Sequence, residues 1–137
     1  MKRILELINE VKDKRKELKD LELRLSKYTL KDKTLLSRIY SIFVEECHEK
    51  DKVKWRKLFL FVVLLLYAPN TLNGAKMPKG LRVAISEYIS DIKKSTISAT
   101  INGIYFNYRL YKDFRAEAER LFVVVVARLE AENLTSL

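Results

Sequence analysis

The chain has 137 residues, 48% of them hydrophobic, and carries a formal net charge of +9 at pH 7. This length fits one domain with its own core. Three Gly and two Pro are too few for the frequent turns of an all-β protein, so we predict an all-α, multi-helix domain. The one cysteine, Cys47, excludes an intrachain disulfide and suits a reducing compartment, so we expect a cytoplasmic protein.

Residues 1–30 are predicted to form one long amphipathic helix. From residue 4 to residue 28, hydrophobic side chains recur at alternating intervals of three and four, which is the spacing of a coiled coil. Seven of the eight seam positions are apolar, and the eighth is Lys14. Two interpretations stay open: the helix pairs with a second copy as a dimer or higher oligomer, parallel or antiparallel, or it packs along its own domain. The residues assigned to oligomerisation are Ile4, Leu7, Val11, Leu18, Leu21 and Leu25.

Residues 31–68 are predicted to contain two core helices. The first runs from about Thr34 to Lys50 and has one apolar face, which predicts packing against a neighbouring element. Either Asp32 or Thr34 is expected to be its N-cap, because a side-chain oxygen there can accept a hydrogen bond from a free N–H group of the first turn.

The second core helix is predicted from about Lys52 to Tyr67, with Asp51 as its N-cap. It contains most of the apolar run Leu58 to Ala68, whose eleven residues would span roughly 16 Å as a helix, about half of a ~30 Å hydrocarbon core. We therefore expect no membrane span, and the run predicts a helix that is buried on all sides. Pro69 is expected to stop this helix.

Residues 69–80, PNTLNGAKMPKG, form the one predicted loop, because they hold both Pro and two of the three Gly. Residues 81–137 are predicted to contain two short helices and a longer one, at about 81–90, 95–111 and 113–133. The VVVV segment at 123–126 is a poor helix former, but strong helix formers flank it on both sides, so the last helix is predicted to continue through it.

The positive charge is concentrated in residues 76–112, which carry seven Lys or Arg against two acids. A basic surface of this kind attracts polyanions. In the same region Ile97, Ile101 and Ile104 are spaced to share one buried face of a helix, which leaves short polar side chains on the other face. With the preceding helix and the connection SDIKK, residues 90–94, this pattern is typical of a helix-turn-helix.

The segment EYISDIKKSTISATIN resembles the helix-turn-helix of lactose-repressor-type and related phage regulators. The second helix of that family typically reads T-V-S-x-x-h-N, which is matched here by Thr96, Ile97, Ser98, Ile101 and Asn102. The resemblance implies a double-stranded DNA partner with the second helix in the major groove. The residues it assigns to base contacts are Ser95, Thr96, Ser98, Ala99 and Asn102. The residues it assigns to phosphate contacts are Lys79, Arg82, Lys93, Lys94, Arg109 and Lys112.

Catalytic and metal-binding chemistry are not predicted. Cys47 and His48 are the only residues of their types, which is too few for a tetrahedral metal site. The glycine patterns of phosphate-binding and dinucleotide-binding loops are absent. We expect no enzyme, no cofactor and no small-molecule substrate.

An aromatic cluster lies toward the end of the presumed recognition helix. Its helical spacing predicts packing in the core or between helices, rather than stacking on single-stranded bases. The cluster comprises Tyr105, Phe106, Tyr108, Tyr111 and Phe114.

Two functional hypotheses follow from the sequence. The first is a DNA-binding protein that works as an oligomer, either a transcriptional regulator or the DNA-recognition subunit of a phage. The second is a helical structural or interaction protein of a phage or mobile element, whose N-terminal helix docks a partner. A phage component would be located inside the virion rather than in the cytoplasm.

Overall fold

The computed structural model describes residues 1–89 and 93–135, except for the side chains of Lys94 and Ser95. Every regular element in these ranges is helical, so the all-α prediction is confirmed. The six α-helices are α1 (Lys2–Ser26), α2 (Leu36–Glu46), α3 (Lys52–Tyr67), α4 (Leu81–Ser86), α5 (Lys94–Leu110) and α6 (Lys112–Ala131). Two short 3₁₀ helices occupy Lys33–Leu35 and Pro69–Asn73.

Helix α3 forms the centre of the fold, and its predicted bounds are confirmed. The apolar run makes it hydrophobic on every side, so it must be covered on every side. Phe43 of α2 contacts its first half, α5 and α6 pack against it, and α6 also packs against α2. Nine of its sixteen residues are buried: Leu58, Phe59, Leu60, Phe61, Val62, Val63, Leu64, Leu66 and Tyr67.

The start of α3 is fixed by Asp51, as predicted. Its carboxylate accepts hydrogen bonds from the N–H groups of Val53 at 2.8 Å and Lys54 at 3.3 Å. We expect Asp51→Ala to lower the free energy of unfolding by about 1 kcal/mol, because these two donors lose their acceptor. Urea denaturation would measure the change. Asp51→Asn keeps an acceptor oxygen, and if it destabilised the protein as much as Asp51→Ala, the cap would not be the cause.

Aromatic rings join α3 to its neighbours on two sides. On the α2 side, the ring of Phe59 stacks on Trp55 with the centroids 5.4 Å apart and meets Phe43 edge-on at 5.3 Å. On the other side, Phe61 stacks on Tyr108 of α5 at 4.8 Å. Such pairs add to the stabilisation from buried area.

The aromatic cluster predicted to pack in the core is divided between core and surface. Phe114 packs against Phe61 with the centroids 6.0 Å apart, and Tyr108 is also packed, as predicted. Tyr105 is 39% exposed but stacks on Tyr108 with the ring centroids 6.0 Å apart. In contrast, Phe106 and Tyr111 are about three-fifths exposed, so the prediction was wrong for these two. Phe106 lies on the side of α5 away from the isoleucine stripe, and Tyr111 follows the last residue of α5.

Arginine side chains connect α6 to α2. Arg38 donates to both carboxylate oxygens of Glu132, at 2.7 and 3.0 Å, and this hydrogen bonding lowers the pKa of Glu132. Arg128 donates to Glu45 at 2.5 Å, and Arg120 donates to the backbone carbonyl of Glu46 at 2.8 Å. Bidentate geometry makes the Arg38 pair directional, so it fixes the alignment of the two helices.

The VVVV segment is helical within α6, as predicted. Val125 is fully buried, whereas Val123 is 63% exposed. Some of these valines therefore face the core and others face solvent. The strong helix formers around them sustain the helical conformation.

Helix α1 extends from the rest of the molecule. Across its full described length it has no buried residue. Its C-terminal end contacts the 3₁₀ helix at Pro69–Asn73, and Leu25 is half-buried there. The alternative in which this helix packs along its own domain is therefore not what the structure shows.

Several predicted boundaries differ from the observed ones. Asp32 caps the 3₁₀ helix Lys33–Leu35 by accepting from Thr34 N–H at 2.9 Å, whereas α2 itself begins at Leu36 without a side-chain cap. Helix α2 ends at Glu46 rather than Lys50, because Cys47 adopts an extended backbone. The predicted loop contains the 3₁₀ helix at Pro69–Asn73, which ends at Gly74 in the left-handed region with φ of 93°.

Candidate nucleic-acid interface

Helix α5 has one face committed to the core and one face open to solvent. Ile97, Ile101 and Ile104 are buried, at 0%, 8% and 0% exposure. The side chains of Thr96, Ala99 and Asn102 are exposed on the opposite side of the helix. The segregation follows from the i, i+4, i+7 spacing of the isoleucines. The open face, hereafter the polar face of α5, is not covered by the described part of the chain.

Two other predicted base-contact residues, Ser98 and Ser95, are not among the exposed side chains of the polar face described above. Ser98 is half-buried, so less of its hydroxyl is accessible than the sequence pattern suggested. The side chain of Ser95 lies outside the described residues. The hydroxyl of Thr100 donates a hydrogen bond to the carbonyl of Thr96 at 2.8 Å, so this side chain bonds within its own helix.

Three predicted phosphate-contact residues precede the polar face in the chain and are exposed. Lys79 lies just before α4, Arg82 lies in the first turn of α4, and Lys93 directly precedes α5; all three side chains are exposed. Helix α4 packs against α5, and Lys93 is the residue directly before the first turn of α5. The side chain of Lys94 lies outside the described residues.

One further cation, close to Lys79, was missed by the sequence analysis. The ammonium of Lys33 donates to the carbonyl of Lys79 at 3.2 Å and lies beside Gly80. Gly80 has φ of 88°, a left-handed conformation that suits glycine at the start of α4. Lys33 is separated from Lys79 by 46 positions in the chain, so no local pattern could have indicated this neighbour.

Arg109 and Lys112 lie apart from this basic cluster. Both are exposed, as phosphate contacts must be. However, Arg109 follows Lys93 by sixteen residues, which is roughly 24 Å along a helix. They are therefore not part of the same local site, and any role on DNA would be at a flanking phosphate.

Helix α4 is shorter than the sequence predicted. It was expected to reach Ser90 but ends at Ser86. Tyr88 leaves the helix and packs on Tyr40 of α2, with ring centroids 5.1 Å apart, and Ile89 enters the core. These two contacts favour the early end of α4. Residues 90–92, where the predicted turn lies, are outside the described residues.

Candidate metal ligands and nucleophiles were also located in the structure. No group of three or more His, Cys, Asp or Glu able to hold a metal ion occurs in the part of the chain that the structure describes. Cys47 is buried, and its burial raises the pKa of its thiol, which disfavours the nucleophilic thiolate. His48 beside it is exposed at the end of α2.

Comparison with known proteins adds no relative. No model of a protein family matches the chain, and neither a curated protein nor a solved structure matches it. Among the described helices, none combines the length and the apolar character that crossing a bilayer requires.

Proposed function

We propose that this protein is a non-enzymatic DNA-binding protein that places the N-terminal half of α5 in the major groove. The observation that carries the proposal is the division of α5 into a buried isoleucine stripe and an open polar face. A helix that reads base edges needs this division, because the inner face must fix its position while short side chains reach the DNA.

The residues of the polar face suit base contacts of different kinds. The amide of Asn102 can pair with both N6 and N7 of an adenine, which gives selectivity. The methyl group of Ala99 suits apolar contact with a thymine methyl, and the hydroxyl of Thr96 is a less selective donor or acceptor.

The flanking cations suit phosphate contacts. Lys93 adds positive charge at the N-terminal end of α5, where the helix dipole is also positive, and Lys79 and Arg82 add exposed positive charge at the start of α4, which packs against α5. Contacts of this kind hold a protein on the duplex and set its orientation without reading sequence.

Binding to random duplex DNA at several salt concentrations tests the proposal. We expect the logarithm of the association constant to fall linearly with the logarithm of the salt concentration, by about 0.9 for each phosphate neutralised. A protein that fails to bind duplex DNA at low salt, or whose binding does not depend on salt, would not be a DNA-binding protein of this kind.

The substitution Asn102→Ala tests the base-contact assignment once a preferred sequence has been selected from a random duplex library. We expect a loss of about 1–3 kcal/mol of discrimination at one base pair, because the bidentate contact disappears. Affinity for random duplex should change little. The control is Asn9→Ala, at an exposed position of α1. Equal discrimination by the Asn102→Ala variant and the unaltered protein would remove this residue from the interface.

A second candidate function is a helical interaction protein, and the exposure of α1 is the observation that favours it. The two functions are compatible, because α1 and the polar face of α5 use different residues. As a DNA-binding protein it would act in the cytoplasm as a transcriptional regulator, or in a virion as a DNA-recognition subunit.

A further inference from the structure

Helix α1 carries an apolar stripe that the described part of its own chain leaves uncovered. The helix is 25 residues long, or roughly 37 Å. The large apolar side chains along it are about half exposed or more: Ile4 61%, Leu5 55%, Leu7 49%, Ile8 46%, Val11 49%, Leu18 54% and Leu21 52%. Contiguous exposed apolar surface of this kind marks an interaction site.

We propose that α1 pairs with α1 of a second copy of this chain as an antiparallel two-stranded coiled coil centred on Lys16. The proposal concerns self-association and holds with or without DNA binding. The a positions of the seam are Ile4, Val11, Leu18 and Leu25, and the d positions are Leu7, Lys14, Leu21 and Tyr28. Antiparallel pairing places each a residue opposite a d residue of the other helix.

In this arrangement the seam of α1 is complementary to itself around its centre. Val11 lies opposite Leu21 of the second copy, and Leu7 lies opposite Leu25, which keeps part of its surface free. Because the pair is symmetric, each of these layers occurs twice. A second copy therefore supplies an apolar side chain for the exposed seam residues Leu7, Val11 and Leu21, which is why we choose it over an unrelated helix.

Lys14 decides between the antiparallel and parallel arrangements. In the antiparallel pair it lies opposite Leu18 of the second copy, so its methylene groups can pack on leucine while the ammonium reaches solvent. In a parallel pair in register, Lys14 would face Lys14 of the second copy in the same layer. Like charges placed directly opposite each other at a seam destabilise the pair.

The charges that flank the seam are nearly balanced in both arrangements. The antiparallel pair places Glu10 beside Arg24 of the second copy, an attractive contact that occurs twice. It also places Arg15 beside Arg15 of the second copy and Glu17 beside Glu17 of the second copy, two repulsive contacts that occur once each. The parallel pair brings Glu10 beside Arg15 twice and Glu17 beside Glu22 twice. The facing lysines are thus an additional cost of the parallel pair alone.

The base of α1 supports a fixed arm rather than a free one. Helix α1 contacts the 3₁₀ helix Pro69–Asn73, so its direction is held relative to the core. The antiparallel pair would place the two helical cores at opposite ends of the arms, separated by roughly the length of the paired helices.

Sedimentation equilibrium without DNA first tests whether the protein dimerises. Double electron–electron resonance then measures the distance between two spin labels and so tests the orientation of the pair. The labels are placed on Lys2→Cys or Lys16→Cys, both on the outer side of the seam, in a Cys47→Ala background. For antiparallel pairing we expect about 42 Å or more between the two labels at position 2, because 28 residues of helical rise separate them. At position 16 we expect about 20 Å, the width of two helices.

Three results would overturn the proposal. A monomer at every concentration would exclude self-association. Distances near 20 Å at both label positions would indicate a parallel pair. A dimer that persists after Leu18→Lys and Leu21→Lys, in a chain with unchanged helix content, would mean that another surface pairs. These measurements need no DNA. The protein can therefore prove monomeric and still bind duplex DNA, or prove dimeric and not bind it, so the two proposals are tested separately.

Discussion

Replacing Lys79, Arg82 and Lys93 together with glutamine is expected to weaken binding to random duplex DNA by roughly 10² to 10³-fold at about 0.1 M salt. The three exposed cations lie at the start of α4, which packs against α5, and directly before α5. Each phosphate contact releases counterions, and the free energy of that release is lost with the contact. The slope of the logarithm of affinity against the logarithm of salt should fall by about three. Fluorescence anisotropy over a salt series would measure both quantities.

A matched variant separates the site from the overall charge. Lys12, Lys16 and Lys19 are exposed on α1 and lie outside the proposed seam, so their replacement with glutamine removes the same net charge. We expect this control to bind random duplex within a few-fold of the unaltered protein. Equal losses in the two triple variants would show that DNA is attracted to the general positive charge of the protein and not to this site.

Truncation of Phe59 to alanine is expected to lower the free energy of unfolding by about 3–5 kcal/mol. The side chain is fully buried and its ring contacts those of Tyr40, Phe43 and Trp55, with centroids 5.8, 5.3 and 5.4 Å away. The loss combines the removed apolar area with the cavity left among rings that cannot collapse into it. A loss of this size is a large share of the stability of a typical domain.

Urea denaturation followed by circular dichroism would measure this change. The control is Val53→Ala on the same helix, where the side chain is 53% exposed, and it should change the free energy by no more than about 0.5 kcal/mol. A Phe59→Ala variant within about 1 kcal/mol of the unaltered protein would contradict the central position of α3.

The elements predicted best are those whose local sequence decides their structure. Asp51 and the apolar run that follows it determine both the start and the burial of α3, because a cap and a continuous hydrophobic surface act over neighbouring residues. The isoleucine stripe of α5 was predictable for the same reason, since its helical spacing assigns Ile97 and Ile104 to one face.

The elements predicted less well depend on contacts between distant parts of the chain. Helix α4 ends early where Tyr88 packs on Tyr40, and neither residue signals the other in the sequence. The same holds for Lys33 at the carbonyl of Lys79 and for the pairing of Arg38 with Glu132. Such contacts require the fold to be known first, so the composition of the basic cluster was only partly predictable.

Two predicted roles of single residues illustrate the limit for the candidate interface. The sequence assigned both Ser98 and Asn102 to the face that meets DNA, but Ser98 is half-buried while Asn102 is exposed. Arg109 was predicted to reach only a flanking phosphate, and the length of α5 separates it from Lys93. Charge and residue type indicate a surface, but only the packing of α5 decides which side chains share it.

The apolar surface of α3 has a consequence for biosynthesis. Helices α5 and α6, which pack against α3, follow it in the chain. A ribosome therefore completes this apolar helix before the segments that bury it. At roughly 5–20 residues per second, that helix waits several seconds after its synthesis for a native partner. In a chain truncated after Tyr67 this apolar surface would be exposed to solvent. We expect such a chain to aggregate or to require chaperones, and we expect the full-length chain to do neither.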